Sequence, residues 1–250
     1  SLGSSSKKAS VYGGYVEGGG TAQKNEVSIT GSTITGNVSG GYISLSGSVK
    51  KTGNVSKENK VSITDSTING DVRGGYIQIN NEILASSEGA VNGNEVEISQ
   101  AEGSTTQING NVYGGWTKKG DALNNTVTIT GGTLVQSVYG GWTENGTVND
   151  NKVTISDGTI NGYGIYGGYV LNGTGEVKNN TINISNGTIN SWKIEAGSGT
   201  TSSNVEKNIV NITGGTFTNL DEVYGGHGGT ATGNEVHIKN VDSTLSVSTV

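Results

Sequence analysis

Residues 125–142 have the sequence NTVTITGGTLVQSVYGGW, which contains every part of a unit that recurs along the chain. The unit begins with an Asn-x-Val-x-Ile motif, passes through a Thr-Gly-Gly-Thr turn to one apolar residue, and ends with Val-Tyr-Gly-Gly-Trp. Copies of the first motif begin at eight asparagines, and one copy has Ile182 in place of valine. These asparagines are Asn25, Asn59, Asn94, Asn125, Asn151, Asn180, Asn208 and Asn234. Recurrence of this kind indicates a repeat protein.

Two further positions recur in the same order after the first motif. The apolar residue that follows the turn is Ile34, Ile68, Ile108, Leu134, Ile160, Ile189 or Phe217. The Val-Tyr-Gly-Gly-aromatic motif occurs at 112–116 and 138–142, with variants at 38–42, 72–76, 165–169 and 223–227. Each repeat therefore predicts three short strands separated by glycine-containing turns.

The apolar residues of these strands alternate with polar ones, so that Val127 and Ile129 share one face while Thr126 and Thr128 share the other. A single repeat has too few inward aliphatic side chains to offset the entropy lost on ordering its backbone. Stacked repeats, about 4.8 Å apart, bond each strand to its equivalents and extend one core. The sequence predicts an all-β parallel β-helix, a solenoid of about eight coils with three short strands per coil.

Length variation between repeats is concentrated after the Gly-Gly pair, at one corner of the predicted coil. Insertions in a solenoid emerge as loops along one edge. We therefore expect projecting loops at about residues 43–58 and 77–93. Residues 1–250 are predicted to form a single β-helix segment of a longer protein.

Composition excludes several classes of function. The 250 residues include 44 glycines and no proline, cysteine or methionine, so that neither disulfides nor a thiolate metal site is expected. The formal net charge is −6 and Arg73 is the single arginine, which argues against nucleic acid as a partner. No apolar run is long enough to span a bilayer, and residues 1–10 lack the apolar segment of a signal peptide. Any export signal or anchor is expected outside this sequence.

The units at 125–142 and 151–169 resemble the repeats of autotransporter (type V secretion) passenger domains of Gram-negative bacteria. The resemblance covers nearly the whole chain. It implies a right-handed β-helix within a passenger domain. Such a protein is either anchored in the outer membrane and displayed at the cell surface, or secreted. The resemblance further implies an adhesin, with roles in cell adhesion and virulence, that binds a host cell-surface protein or glycan or another bacterial surface. Membrane attachment is expected only through a C-terminal barrel outside these residues, and we expect a monomer without a cofactor.

The asparagine column is predicted to be structural, because stacked amides at a β-helix corner satisfy one another and the neighbouring backbone. Aromatic residues form two further columns, three positions apart on one strand, which alternation predicts to face opposite ways. One column would pack for stability, and the other would form an exposed ladder for sugars or a protein. The candidate ligand-binding aromatics are Tyr113, Tyr139, Tyr166 and Tyr224.

A lysine cluster in the first predicted loop is a second candidate for ligand binding. Lys50, Lys51 and Lys57 lie there with Lys60, and they suit contact with acidic host glycans. The alternative is a solvated loop whose charges keep the chain soluble.

No catalytic residue or metal ligand is predicted. Gly226-His227-Gly228 is similar to the Gly-His-Gly of polygalacturonases, but His227 occupies the aromatic position of its repeat and lacks that family's clustered aspartates. His237 has no carboxylate pair near it in sequence for metal binding, and calcium-binding nonapeptide repeats are absent from the sequence. We therefore predict a protein that is not an enzyme. Two alternatives to an adhesin remain open: a β-helical polysaccharide lyase or hydrolase, and a passive structural stalk.

Overall fold

The chain is described by a computed structural model over residues 8–46, 52–80 and 88–239, together with Leu2 and Val241. This part of the chain consists of 29 parallel-paired strands with turns between them, and it contains no helix. Within these residues, accordingly, no helix has the length and apolar character that crossing a membrane requires.

The strands form three sheets that run the length of the molecule, and each successive coil adds one strand to every sheet. The first, which we call the aromatic sheet, contains the Gly-Gly motifs. Its strands are β1 (Val11–Glu17), β5 (Val38–Leu45), β9 (Val72–Ile79), β13 (Val112–Lys119), β16 (Val138–Asn145), β19 (Gly164–Val170), β23 (Lys193–Ser198) and β27 (Glu222–His227).

The second sheet, called the short sheet, follows the aromatic sheet in each coil. Its strands are β2 (Thr21–Gln23), β6 (Asn54–Lys57), β10 (Gly89–Asn92), β14 (Ala122–Leu123), β17 (Val148–Asn149), β20 (Val177–Lys178), β24 (Asn204–Glu206) and β28 (Thr230–Thr232).

The third sheet, called the isoleucine sheet, carries the Asn-x-Val-x-Ile motifs. Its main strands are β3 (Glu26–Thr30), β7 (Lys60–Thr64), β11 (Glu95–Ser99), β15 (Thr126–Leu134), β18 (Lys152–Ile160), β21 (Thr181–Ile184), β25 (Ile209–Ile212) and β29 (Glu235–Ile238). Short strands continue it around the next corner: β4 (Thr33–Ile34), β8 (Thr67–Ile68), β12 (Gln107–Ile108), β22 (Thr188–Asn190) and β26 (Thr216–Thr218). The predicted parallel β-helix of about eight coils is confirmed.

Pairing between coils is in register with the sequence repeat. Val27 aligns with Val61 and Ile29 with Ile63, and the same columns continue coil by coil to Val236. The aliphatic side chains of these columns are almost fully buried throughout the interior coils. Burial of apolar area on stacking is therefore the main stabilising contribution to the fold.

The core divides into two clusters. One lies between the isoleucine sheet and the first half of the aromatic sheet, and includes Val72 and Ile98. The other lies between the short sheet and the second half of the aromatic sheet, and includes Ile77 and Val148. Between these halves lies the Gly-Gly pair, and the column of asparagines packs against it.

Strands extend into both ranges for which projecting loops were expected, 43–58 and 77–93. Strands β5 and β6 occupy parts of the first range, and β9 and β10 occupy parts of the second. Apolar residues such as Leu45 alternate beyond the Gly-Gly pair and are buried in the second cluster, so the strand continues there. Residues 47–51 and 81–87 of the two expected loops lie outside the described residues.

Candidate functional site

The asparagine column begins at a left-handed turn in every coil. The residue just before the asparagine has a φ between 53° and 64° in all eight coils, although only two of these residues are glycine. They are Lys24, Glu58, Gly93, Asn124, Asp150, Asn179, Lys207 and Gly233. This conformation turns the chain between the short sheet and the isoleucine sheet, and the next side chain enters the interior.

The eight asparagines form a continuous hydrogen-bonded ladder. In seven successive steps the Nδ2 of one asparagine donates to the Oδ1 of the next at 2.8–3.0 Å. The backbone N–H of the same asparagine donates to the same Oδ1 at 2.9–3.1 Å. The second Nδ2 hydrogen goes to a carbonyl of the preceding coil, as from Asn125 to Val91. The interior amides are thus satisfied within the stack, and their role is structural.

The Gly-Gly pair leaves room for this ladder. A Cβ on Gly115 would lie 2.6 Å from the Asn125 side chain, and a Cβ on Gly114 would lie 2.4 Å from the carbonyl oxygen of Gly140. Both distances are far below van der Waals contact. The pair is therefore required by close packing of the backbone over the asparagines.

The two aromatic columns lie on the same outward face, and the prediction that they face opposite ways is wrong. Val112 and Thr117 point inward and are fully buried, while Tyr113 and Trp116 between them lie outside both core clusters. Rings of the two columns touch each other, with Tyr166 and Tyr169 at 5.1 Å between centroids. Val112 and Thr117 both point inward although they are five positions apart, so the strict alternation on which the prediction depended is interrupted at the Gly-Gly pair between them.

Each column contains rings that stack on one another along the axis of the β-helix. Tyr113, Tyr139 and Tyr166 have successive centroid distances of 4.9 and 5.0 Å, with planes within 9° of parallel. Trp116 and Trp142 stack at 4.8 Å. The flat faces of these rings are therefore occupied by one another, which stabilises the stack and leaves mainly ring edges toward solvent.

Burial sets the chemistry of the phenol groups in this stack. It raises the pKa of Tyr113 and of Tyr166 above the ordinary range, and raises the pKa of Tyr76 to about 12. A tyrosine hydroxyl is ordinarily protonated at neutral pH, and burial extends its protonated form to more alkaline pH. The fourth candidate, Tyr224, belongs to a separate contact, since it stacks on His227 at 5.3 Å.

Arg73 and Glu195 replace tyrosine in the first aromatic column, at opposite ends of the stacked run. The guanidinium carbon of Arg73 lies 4.3 Å from the centroid of Tyr76 and 5.5 Å from that of Tyr113, and its Nη2 pairs with Asp71. Arg73 is thus a cationic member of the stack, held by aromatic rings and one carboxylate.

Glu195 lies at the centre of a charged group on the last coils. Its carboxylate is 2 % exposed, 3.5 Å from the Lys193 ammonium and 3.5 Å from His227 Nδ1. Lys193 also pairs with Glu222 at 2.6 Å. Burial lowers the pKa of Lys193, but its ion pairs with Glu222 and Glu195 outweigh this and raise the pKa overall. Sequence reasoning did not anticipate this group, because its members lie on two neighbouring strands, β23 and β27, and β23 departs from the Val-Tyr-Gly-Gly-aromatic motif.

The lysine cluster does not form one surface in the described part of the chain. Lys57 lies on the short sheet, 4.0 Å from Glu58, whereas Lys60 lies on the isoleucine sheet and pairs with Glu97 at 2.8 Å. Lys50 and Lys51 lie outside the described residues. The remaining lysines are therefore divided between two faces.

Two exposed aromatics that sequence analysis missed lie at the corner where a strand of the aromatic sheet begins. Tyr163 precedes β19 and Trp192 precedes β23, and their rings meet edge to face at 5.1 Å. They are 53 % and 43 % exposed. The only signal in the sequence is that they fall outside both recurring aromatic columns. We call Tyr163 and Trp192 the corner pair.

Comparisons with family models, with curated proteins and with solved structures found no match to this chain. Within the described ranges, no three side chains of histidine, aspartate or glutamate come together as a group that could hold a metal ion.

Proposed function

We propose that this chain is a binding segment of a bacterial surface adhesin, of the autotransporter passenger type. The observation that carries the proposal is the distribution of aromatic residues. All ten tyrosines and all three tryptophans lie in strands of the aromatic sheet or directly beside one. Tyrosine and tryptophan are the residues that binding surfaces favour, because they combine a large apolar area with a polar group.

The other long face has a different character. Outward positions of the isoleucine sheet carry small polar and charged residues, such as Ser28, Thr128 and Asn211. Core packing does not require this difference between the aromatic sheet and the isoleucine sheet, because the outward side chains of both sheets lie outside the core clusters. A rod with one aromatic face suits adhesion to a surface along its length. The repeat motifs support the autotransporter assignment. We therefore also propose that the β-helix is right-handed, that the protein is located at the surface of a Gram-negative cell, and that its partner is a host protein or glycan.

A polysaccharide lyase or hydrolase is a second candidate, favoured by the carboxylates near His227. Yet Glu195 is almost fully buried, and both Glu195 and Glu222 are paired with Lys193. Carboxylates that are buried or held in ion pairs in this way suit a structural role better than a catalytic one. We therefore propose that the segment binds and does not cleave. New reducing ends released from a bound polysaccharide would favour the enzyme instead.

The adhesive face is tested by attaching a bulky group to one face at a time. The chain contains no cysteine, so His227→Cys and His237→Cys each provide one site for a polyethylene glycol maleimide. The two histidines are matched in exposure, with side chains 56 % and 48 % exposed, but His227 lies on the aromatic sheet and His237 on the isoleucine sheet. We expect the labelled His227→Cys protein to lose most of its binding to cells, and the labelled His237→Cys protein to retain it.

Unlabelled variants are the control for the substitutions themselves. Equal binding by both labelled proteins, or loss only with the label at position 237, would contradict the assignment of the face. No binding by the folded parent to any host or bacterial surface would make the segment a passive stalk.

A further inference from the structure

The corner pair combines edge-to-face geometry with exposure to solvent. Trp116 and Trp142 lie with their planes 4° from parallel, and the edge-to-face contact between Tyr166 and Tyr169 includes a buried ring, since Tyr166 is 4 % exposed. Tyr163 and Trp192 instead meet at 82°, and about half of each residue is open to solvent. Edge-to-face geometry covers one ring face at most, so the pair presents an angled aromatic corner that a ligand can approach.

Polar contacts hold the indole in place. Trp192 Nε1 donates to Asp221 Oδ2 at 2.8 Å, and Asp221 belongs to the next coil. The backbone N–H of Trp192 donates to the Tyr163 carbonyl at 3.1 Å. Because both bonds connect neighbouring coils, the ring is positioned by the solenoid before any ligand arrives. Such preorganisation reduces the entropy that binding costs.

Charged groups lie on one side of the corner pair. The Lys193 ammonium lies 5.4 Å from the Trp192 centroid and pairs with Glu222. Glu195 and Asp221 add two further carboxylates, so that three anionic side chains stand against one ammonium. An anionic ligand would meet net repulsion here, whereas hydroxyl groups would find both acceptors and a donor.

We propose that the corner pair is a subsite for a neutral sugar residue of a cell-surface glycan. The apolar face of a hexose or N-acetylhexosamine ring would pack on Trp192, with Tyr163 beside it. Sugar hydroxyls would donate to Asp221, the exposed carboxylate that holds the indole, and accept from Lys193. This inference deepens the proposed adhesive function and rests on it, since it names the class of ligand that the aromatic face takes.

The test is titration of the whole chain with neutral hexose and N-acetylhexosamine oligosaccharides, and with sulfated heparin oligosaccharides, followed by calorimetry. We expect binding of at least one neutral oligosaccharide and weaker or no binding of the sulfated ones. Trp192→Ala should lower the neutral affinity at least about ten-fold, because truncation of a central aromatic anchor removes much of the binding energy. Its side chain is exposed, so circular dichroism of the variant should match the parent.

Tyr15→Ala is the matched control, because Tyr15 is 51 % exposed on the same face at the other end of the rod. Its affinity for the neutral oligosaccharide should be unchanged. The subsite is overturned if no neutral oligosaccharide binds, if the sulfated ones bind more tightly, or if Trp192→Ala and Tyr15→Ala have equal effects.

Binding of the same proteins to cells separates the two proposals. Equal cell binding by the parent and Trp192→Ala would overturn the subsite while adhesion stands. A parent that binds the neutral oligosaccharide through Trp192 but binds no cell would support the subsite and overturn the adhesive function.

Discussion

Asn125→Ala is expected to lower the free energy of unfolding by about 4 kcal/mol, a large effect for one polar side chain. Its Oδ1 accepts from the backbone N–H and the Nδ2 of Asn94, at 3.1 and 2.9 Å. Its Nδ2 donates to Asn151 and to the carbonyl of Val91. Alanine removes all four bonds and leaves two donors of Asn94 without their acceptor in a fully buried layer. Each buried group left unpaired costs roughly 1–3 kcal/mol.

Urea unfolding followed by circular dichroism measures this loss. Asn186→Ala is the control, since Asn186 is exposed in a turn of a later coil and should change stability by no more than about 0.5 kcal/mol. If the two variants proved equally stable, the ladder would contribute nothing beyond an ordinary surface asparagine.

Gly140→Ala is expected to destabilise the protein by about 3 kcal/mol, although it adds only one methyl group. That Cβ would lie 2.4 Å from the carbonyl oxygen of Gly167 in the next coil and 3.2 Å from the Cβ of Asn151. The first contact is with backbone, so relief requires two hydrogen-bonded coils to move apart. The change should therefore appear as a lower midpoint of thermal and urea unfolding.

Gly31→Asn is the control for replacing a repeat glycine. Gly31 has a φ of 60° and no atom within 4 Å of its ideal Cβ position, and asparagine tolerates this left-handed conformation better than most residues. We expect a change below about 1 kcal/mol. A Gly140→Ala protein as stable as Gly31→Asn would show that the coils are less tightly packed at the Gly-Gly pair than the structure indicates.

The architecture was predictable because the residues of each column recur at equivalent positions in the sequence. The recurrence of Asn-x-Val-x-Ile indicates which residues stack, and apolar alternation indicates which face is buried. The left-handed residue before each asparagine was not predictable, because its eight positions hold lysine, glutamate, aspartate, asparagine and glycine. Stacking of the coils imposes the left-handed conformation, and the conformational preferences of the individual residues do not predict it.

The candidate site was predictable only in part. Sequence placed Tyr113, Tyr139 and Tyr166 in one column, but alternation is interrupted at the Gly-Gly pair and both columns lie on one face. Stacking then covers the ring faces that a ligand would need. The corner pair was not predictable from the repeats, because Tyr163 and Trp192 occupy no recurring column. Loops and corners often carry function, and their residues need not follow the repeat.

The measurement that tests the adhesive face most directly is hydroxyl-radical footprinting of the chain, free and bound to the cells it recognises. The most exposed aromatics of the face are Tyr12, Tyr15, Tyr163 and Trp192, between 41 % and 53 % exposed. If the aromatic sheet is the adhesive face, we expect protection from oxidation at one or more of these residues on binding, with His237 on the opposite sheet unchanged. Protection of His237 with all four aromatics unchanged would contradict that assignment.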